Sequence, residues 1–357
     1  GQPVNESKWA HEPFKPILYD GPIDAGGKPI RIPKNNNDID PEWRLYARSA
    51  GDDKAPILTI LNAIDALKSS KIGITSNIKI FFEGEEEAGS TNLKAHLSNH
   101  RDILDDIDIW LFCDGPMHQS RQPQLVFGVR GVTGMEITVY GAARSLHSGH
   151  YGNWAPVPGQ IIANLISSMK DANGKVLVNG FYDTVEPLSE FERLELSKIP
   201  DVDQQLKKEL GLVYTEGEGR SINERLLLPS LTIKGLSSGN VGKKARNVIP
   251  NSATAAIGVR LVKGNDPEDM LDKIEAHIKS QGFHIVYETP DLNTRRNYSK
   301  IVRVDRRGSG YIASRTSMED PNAKSIINAV KEYIGDDLIL MPALGGSLPL
   351  YLFTDYL

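Results

Sequence analysis

An α/β domain interrupted by an inserted α+β lid is the fold class this sequence predicts, and three observations carry it. Strand-like and helix-like segments alternate up to Pro116, with acidic residues gathered where strands end or helices begin. From Gly131 the texture changes to half-apolar alternating strands with two amphipathic helices among them. Beyond residue 308 a helix and a strand return. At 357 residues and 39% hydrophobic content, the chain has the length of about two domains and enough apolar material for a core.

The first fifty residues are rich in Pro, Gly and Asn, so 21–27 and 35–38 read as loops. From Pro56 to Leu67, Ile57, Leu58, Ile60, Leu61, Ile64 and Leu67 recur at three and four, the spacing of a one-faced helix. Pro56 suits only its first turn, and Asp52 or Asp53 is placed to cap it. Residues 77–82 read as a strand, 91–98 as a helix and 107–113 as a second apolar strand. Charges at the carboxyl ends of such strands lie where open α/β sheets place their sites. In the next region 133–142 alternates as a strand, and a helix follows Pro158. Residues 227–234 and 253–262 read as strands, 266–281 as a helix and 284–288 as a strand, the pattern of an antiparallel α+β insert. After a charged stretch from Arg295 to Arg307, 321–334 is helical and 338–341 strand-like. No internal repeat is evident.

Forty-one basic against 46 acidic residues give a net charge of −5, which argues against a nucleic-acid partner. No apolar run approaches the ~18 residues of a membrane helix. One cysteine, Cys113, can form neither an internal disulfide nor a cysteine zinc site, and it reads as a small buried residue at a strand end. The compartment stays open, with the cytoplasm favoured.

Three acidic clusters stand out: Gly51-Asp52-Asp53-Lys54, Glu83-Gly84-Glu85-Glu86-Glu87-Ala88-Gly89-Ser90 and Cys113-Asp114-Gly115-Pro116. Singly, each reads as a helix-start cluster that complements the dipole. Brought to one sheet edge, they would repel one another unless a cation compensates, and carboxylates suit hard or borderline metals. Adjacent glutamates also offer two separable roles, a ligand and a general base.

These clusters resemble the co-catalytic zinc exopeptidases, the family of carnosinase-type dipeptidases, glutamate carboxypeptidase, aminoacylase and succinyl-diaminopimelate desuccinylase. Gly1-Gln2-Pro3-Val4 with Trp9, Pro13 and Phe14 resembles the stretch after the family's His-x-Asp motif. Leu146-His147-Ser148-Gly149 resembles its lid histidine motif. Asn247-Val248-Ile249-Pro250 and Arg260-Leu261-Val262 resemble its lid substrate segment, and Gly345-Gly346-Ser347-Leu348-Pro349 its late Gly-Gly-Ser loop. The ordered set spans nearly the whole chain.

The resemblance implies a zinc-exopeptidase catalytic domain with a central mixed sheet, in two parts (1–131 and 309–357), around a lid and dimerisation domain at 132–308. It implies two zinc ions, with manganese or cobalt as substitutes. Asp52 would bridge them, Glu87 would bind one and Asp114 the other, and Glu86 would be the general base. His147 would reach a partner subunit's site and stabilise the oxyanion. Asn247, Arg260, Gly346 and Ser347 would hold the substrate's carboxylate or adjacent carbonyl. The implied activity is hydrolysis of dipeptides or short peptides by a homodimer. An N-acyl-amino-acid amidohydrolase of the same family and a non-catalytic truncated relative are the alternatives.

The family's two histidine ligands would fall before Gly1 and beyond Leu357. The eight histidines present, at 11, 96, 100, 118, 147, 150, 277 and 284, include no motif-matched substitute. His150 lies three residues from His147 with a glycine between and is a weak ligand candidate; Arg260 alone would read as an outward strand charge. The expectation is that flanking segments complete the site.

Overall fold

A computed structural model describes residues 4–35, 39–217, 219–306, 308 and 310–357. Gly1, Gln2 and Pro3 of the motif above, residues 36–38 of the expected loop and Arg307 lie outside the described residues. The chain divides into two compact units, Gly1–Pro116 with Leu357, and Met117–Tyr356.

In the first unit β1 (Ile17–Tyr19), β2 (Pro29–Ile30) and β3 (Arg44–Tyr46) form an antiparallel sheet in the order β2-β1-β3. The sequence shows little periodicity there, because strands of two or three residues are too short for alternation to show. Tyr19 is its buried anchor: its hydroxyl lies 2.7 Å from His11 Nε2, and its ring meets Tyr46 edge-on at 5.3 Å. α1 (Ala55–Ser69) follows as the apolar spacing predicts. Neither Asp52 nor Asp53 caps it: Lys54 is the N-cap, and both aspartates sit in the preceding turn with non-helical angles. α2 (Leu93–Asn99) buries Leu93 and Leu97, four residues apart on one face, and α3 (Arg101–Leu104) adds Leu104.

Residues 77–82 and 107–113 are not strands among the described residues. An apolar, β-branched run records which side chains avoid water, whereas a strand is defined by the ladder its backbone finds, and here neither finds one. The two segments are instead tied by side chains. The Lys79 ammonium donates to Ile103 O and pairs with Asp106, and Phe81 meets Trp110 edge-on at 6.4 Å. With no closed strand around it, Cys113 is exposed rather than buried.

The second unit opens with β4 (Gln124–Val126), β5 (Gly128–Val129), the ten-residue β6 (Gly131–Tyr140) and β7 (Leu146–His147). α4 (Ser148–Tyr151), α5 (Pro158–Ser167), α6 (Glu190–Lys198), α7 (Asp203–Leu210) and α8 (Ile222–Leu226) follow. α6 and α8 begin with capping boxes, Ser189 with Glu192 and Ser221 with Glu224. Next come β8 (Ser230–Ser237), displaced from the expected 227–234 because Leu226 ends α8, then β9 (Val248–Ile249) and β10 (Ser252–Leu261). α9 (Pro267–Ser280) is capped by Asp266, and β11 (His284–Val286), α10 (Leu292–Asn297) and β12 (Ile301–Arg306) complete the insert. β13 (Ser314–Arg315), α11 (Pro321–Ile334), β14 (Ile339–Met341) and α12 (Tyr351–Thr354) close the chain.

The main sheet runs β11-β12-β6-β10-β8. It is mixed rather than antiparallel throughout, because β11 pairs with β12 in parallel. Alternation fixes its two faces. Met135, Ile137 and Val139 of β6 and Ala253, Ala255, Ile257, Val259 and Leu261 of β10 point into a core shared with Ile162 and Leu165 of α5 and Met270, Leu271, Ile274 and Ile278 of α9. Burying each large side chain stabilises the fold by about 1.5–3 kcal/mol. The even positions face the other way, where Thr138 and Thr254 are hydrogen-bonded partners at 2.9 Å and Arg260 is exposed.

The charged stretch hides β12. Its Ile301, Val302 and Val304 are buried, while Arg306 spans Glu268, Asp272 and Glu275 on successive turns of α9, at 2.7, 2.5 and 2.9 Å. A small parallel pair, β4 with β14, lies beside a second core of Met318, Ile327, Leu338 and Leu340.

Candidate metal centre and substrate-binding segment

In the first unit the three acidic clusters come within electrostatic reach of one another, in turns rather than in helices. Asp52 and Asp53 occupy the Ala50–Lys54 turn, joined by a cis peptide bond. Glu86 and Glu87 open a short helical turn, Glu86–Ala88, which Gly89 ends in the left-handed conformation. The consecutive glutamates do different work. Glu85 is spent on structure, its carboxylate accepting from Asn92 Nδ2 at 2.9 and 3.0 Å and from Asn92 N at 3.2 Å. Glu86 turns towards the other acids: partial burial raises its pKa first, followed by the charges of Asp114, Glu87, Glu83 and Asp52. Asp114 is pushed up to about 6 by burial and by Asp53, Asp52 and Glu87. Burial and Asp52 raise Asp53.

Such mutual repulsion is the signature of negative charges gathered close together. Glu83 adds a second sign, a buried Oε1 with no hydrogen-bond partner among the described residues. In charge and donor type these oxygens fit a hard or borderline divalent cation. They do not close a coordination shell by themselves: among the described residues no group of three or more His, Cys, Asp or Glu is placed to hold an ion. They fit as the carboxylate share of a centre.

In the second unit β7 and β9 pair antiparallel with His147 opposite Val248, and Ser148 N donates to Asn247 O at 3.0 Å. His147 and Asn247 are thereby neighbours, both exposed. His147 Nδ1 accepts from Gly149 N at 3.1 Å, and its ring lies 4.8 Å from that of His150. A second group forms at the other end of β10. Arg260 Nη1 donates to Ser347 Oγ, the Ser347 hydroxyl reaches Gly131 O at 3.4 Å, and Arg130 N donates to Gly346 O at 3.0 Å. The outward charge of Arg260 is therefore engaged by the Gly-Gly-Ser loop. Gly131 is required there, since a Cβ would run into the Tyr311 carbonyl. No hydrogen bond or ring contact among the described residues joins the His147 pair to the Arg260 group.

Arg130 is the residue sequence reasoning missed. It is 6% exposed, and its Nη2 donates to Leu228 O at 2.8 Å and Ser230 Oγ at 3.1 Å. The available signal was a lone arginine between apolar β5 and β6. His118 is also buried, with Nδ1 2.8 Å from Ser120 Oγ.

The peptidase dimerisation domain of the M20 peptidases matches residues 127–285. The chain is 27% identical to mouse Beta-Ala-His dipeptidase over 245 residues, 67% of this chain and 49% of that protein. It is 28% identical to the Cys-Gly metallodipeptidase dug1 of Schizosaccharomyces pombe over 244 residues, 67% of this chain and 51% of that protein. The M20 metallo-carboxypeptidase Sso-CP2 of Sulfolobus solfataricus superimposes with a TM-score of 0.69 at 28% identity, covering 87% of this chain and 67% of that one. These matches make the chain similar to the M20 peptidases. In fold it is similar to that M20 structure, an α/β arrangement with an inserted dimerisation-type domain. The Dug1p structure from Saccharomyces cerevisiae, 23% identical with a TM-score of 0.69, covers 98% of this chain and 67% of that one and agrees in fold. The chain spans about half the length of the curated relatives it matches. Among its described residues no helix is long and apolar enough to cross a membrane.

Proposed function

We propose that the protein carrying this chain is a metal-dependent exopeptidase that hydrolyses dipeptides or short peptides with a free carboxylate. The observation that carries the reading is the convergence of Glu86 with Asp52, Glu87 and Asp114 in repelling proximity. The relatives named as dipeptidases support it.

Asp52, Glu87 and Asp114 are the carboxylates that would hold metal, two zinc ions in this reading, with manganese or cobalt as substitutes. A bound divalent metal supplies Lewis acidity and lowers the pKa of water to the neutral range. Glu86 takes the proton from the attacking water and passes it to the departing amine, a role that suits a carboxylate with a raised pKa. His147, reaching a partner subunit's site, donates to the developing oxyanion. Arg260, with Ser347, Gly346 and Asn247, holds the substrate carboxylate, for which a planar guanidinium is the matching donor. The lid is read as 132–308, with the catalytic domain in two parts, 1–131 and 309–357. A homodimer through the lid belongs to this reading, and the matched dimerisation domain supports it.

A panel of dipeptides set against N-acetyl and N-succinyl amino acids tests the substrate class. Dipeptides are expected to have the higher kcat/KM by tenfold or more. Preference for the acylated amino acids would move the protein to the amidohydrolase branch.

A further inference from the structure

We propose that Arg130 is a positioning residue for carboxylate recognition, a buried positive charge that acts on the ligand through Arg260 and Ser347. The proposal rests on the reading that this loop binds a carboxylate.

Enclosing a guanidinium is costly unless an anion offsets it. Elsewhere in the second unit that offset is present: Arg315, 9% exposed in its side chain, pairs with Glu186 and Glu192, and Arg306 with three acids of α9. Arg130 is as deeply buried and pairs with no carboxylate among the described residues. Its partners are a carbonyl and a hydroxyl, and its buried Nε has none. Its charged neighbours are two more arginines. Burial, Arg260 and Arg225 together bring its pKa down to about 10, so it stays protonated at neutral pH.

The geometry binds this charge to the loop. Arg130 N donates to Gly346 O, and the next residue's carbonyl accepts from the Ser347 hydroxyl. Ser230, which takes Arg130 Nη2, stands opposite Arg260 in the β8–β10 register. Arg225 lies in the last turn of α8, just before β8. Arg130 through its backbone N and Arg260 through its side chain thus hold one Gly-Gly-Ser loop, and Arg225 adds a third positive charge. Among the described residues no carboxylate pairs with Arg130 or Arg260, so an external carboxylate is the balancing charge. Arg130 is too buried to touch it. In low dielectric, however, its field reaches the exposed Arg260 with little screening.

The test is equilibrium binding by NMR titration of two probes of nearly equal shape, N-acetylglycine and its neutral amide. The unmodified protein is expected to prefer the acid by tenfold or more. Arg130→Met is expected to lose that preference with amide binding unchanged, and Arg130→Lys to keep most of it. Equal weakening of both probes would mean a merely structural role, and an intact preference in Arg130→Met would overturn the proposal. Should Arg130→Met fail to fold, Arg225→Met carries the test: at least a threefold loss of preference is expected, and no loss contradicts the cluster's role. Dipeptide hydrolysis is assayed separately, so a protein that prefers the acid through Arg130 yet cleaves no dipeptide counts against the function alone.

Discussion

Glu86→Gln is expected to lower kcat by 10²–10⁴-fold or more, roughly the contribution of a positioned base, while bound metal is retained. Glutamine keeps the size and one hydrogen-bonding oxygen but cannot accept the proton. The carboxylates assigned to metal, Asp52, Glu87 and Asp114, are untouched, so metal analysis separates the two roles. Asp114→Asn should show the opposite pattern, with metal lost first and activity following. The distinction matters because the glutamates are adjacent in sequence and only their surroundings differ. Glu85 is occupied by Asn92, and Glu86 faces four other acids. Activity of Glu86→Gln within threefold of the unmodified protein would overturn its assignment as base.

His147→Ala is expected to lose about 10²–10³-fold in kcat, the usual cost of one oxyanion donor. The side chain is exposed at the end of β7, where it accepts from Gly149 N and meets the exposed His150 ring, so its removal leaves no buried side chain unpaired among the described residues. The more telling result comes from mixing. If His147 serves the partner's site, His147→Ala and Glu86→Gln subunits, each inactive alone, recover about a quarter of full activity on exchange, because half the dimers are mixed and one of their two sites is intact. If His147 serves its own subunit, no mixed dimer has a complete site and nothing is recovered.

The long periodic elements were legible in the sequence. α9, α11, β6 and β10 appear within a few residues of where their apolar spacing places them, because each buries one regular face; α1 also lies where its spacing places it, although none of its residues is buried. What escaped had other determinants. β12 was masked by its outward charges, of which Arg306 belongs to a three-acid network on α9 that only the tertiary structure assembles. β1 to β3 are too short to show a period. Residues 77–82 and 107–113 show the reverse error, strand-like composition without a ladder. The acidic clusters were visible as motifs, and their convergence is what the structure adds. Arg130 stayed hidden since a single arginine beside a glycine carries no pattern; burial without a counter-charge makes it conspicuous.

The central claim, metal-dependent cleavage next to a free carboxylate, is tested most directly by dipeptide hydrolysis before and after chelation and again after zinc is restored. The account predicts a loss of at least about a hundredfold on chelation and recovery as metal returns to about two ions per chain, since the carboxylates cannot activate water alone. Hydrolysis that survives complete metal removal, or a chain that holds two ions and cleaves no dipeptide, would contradict it.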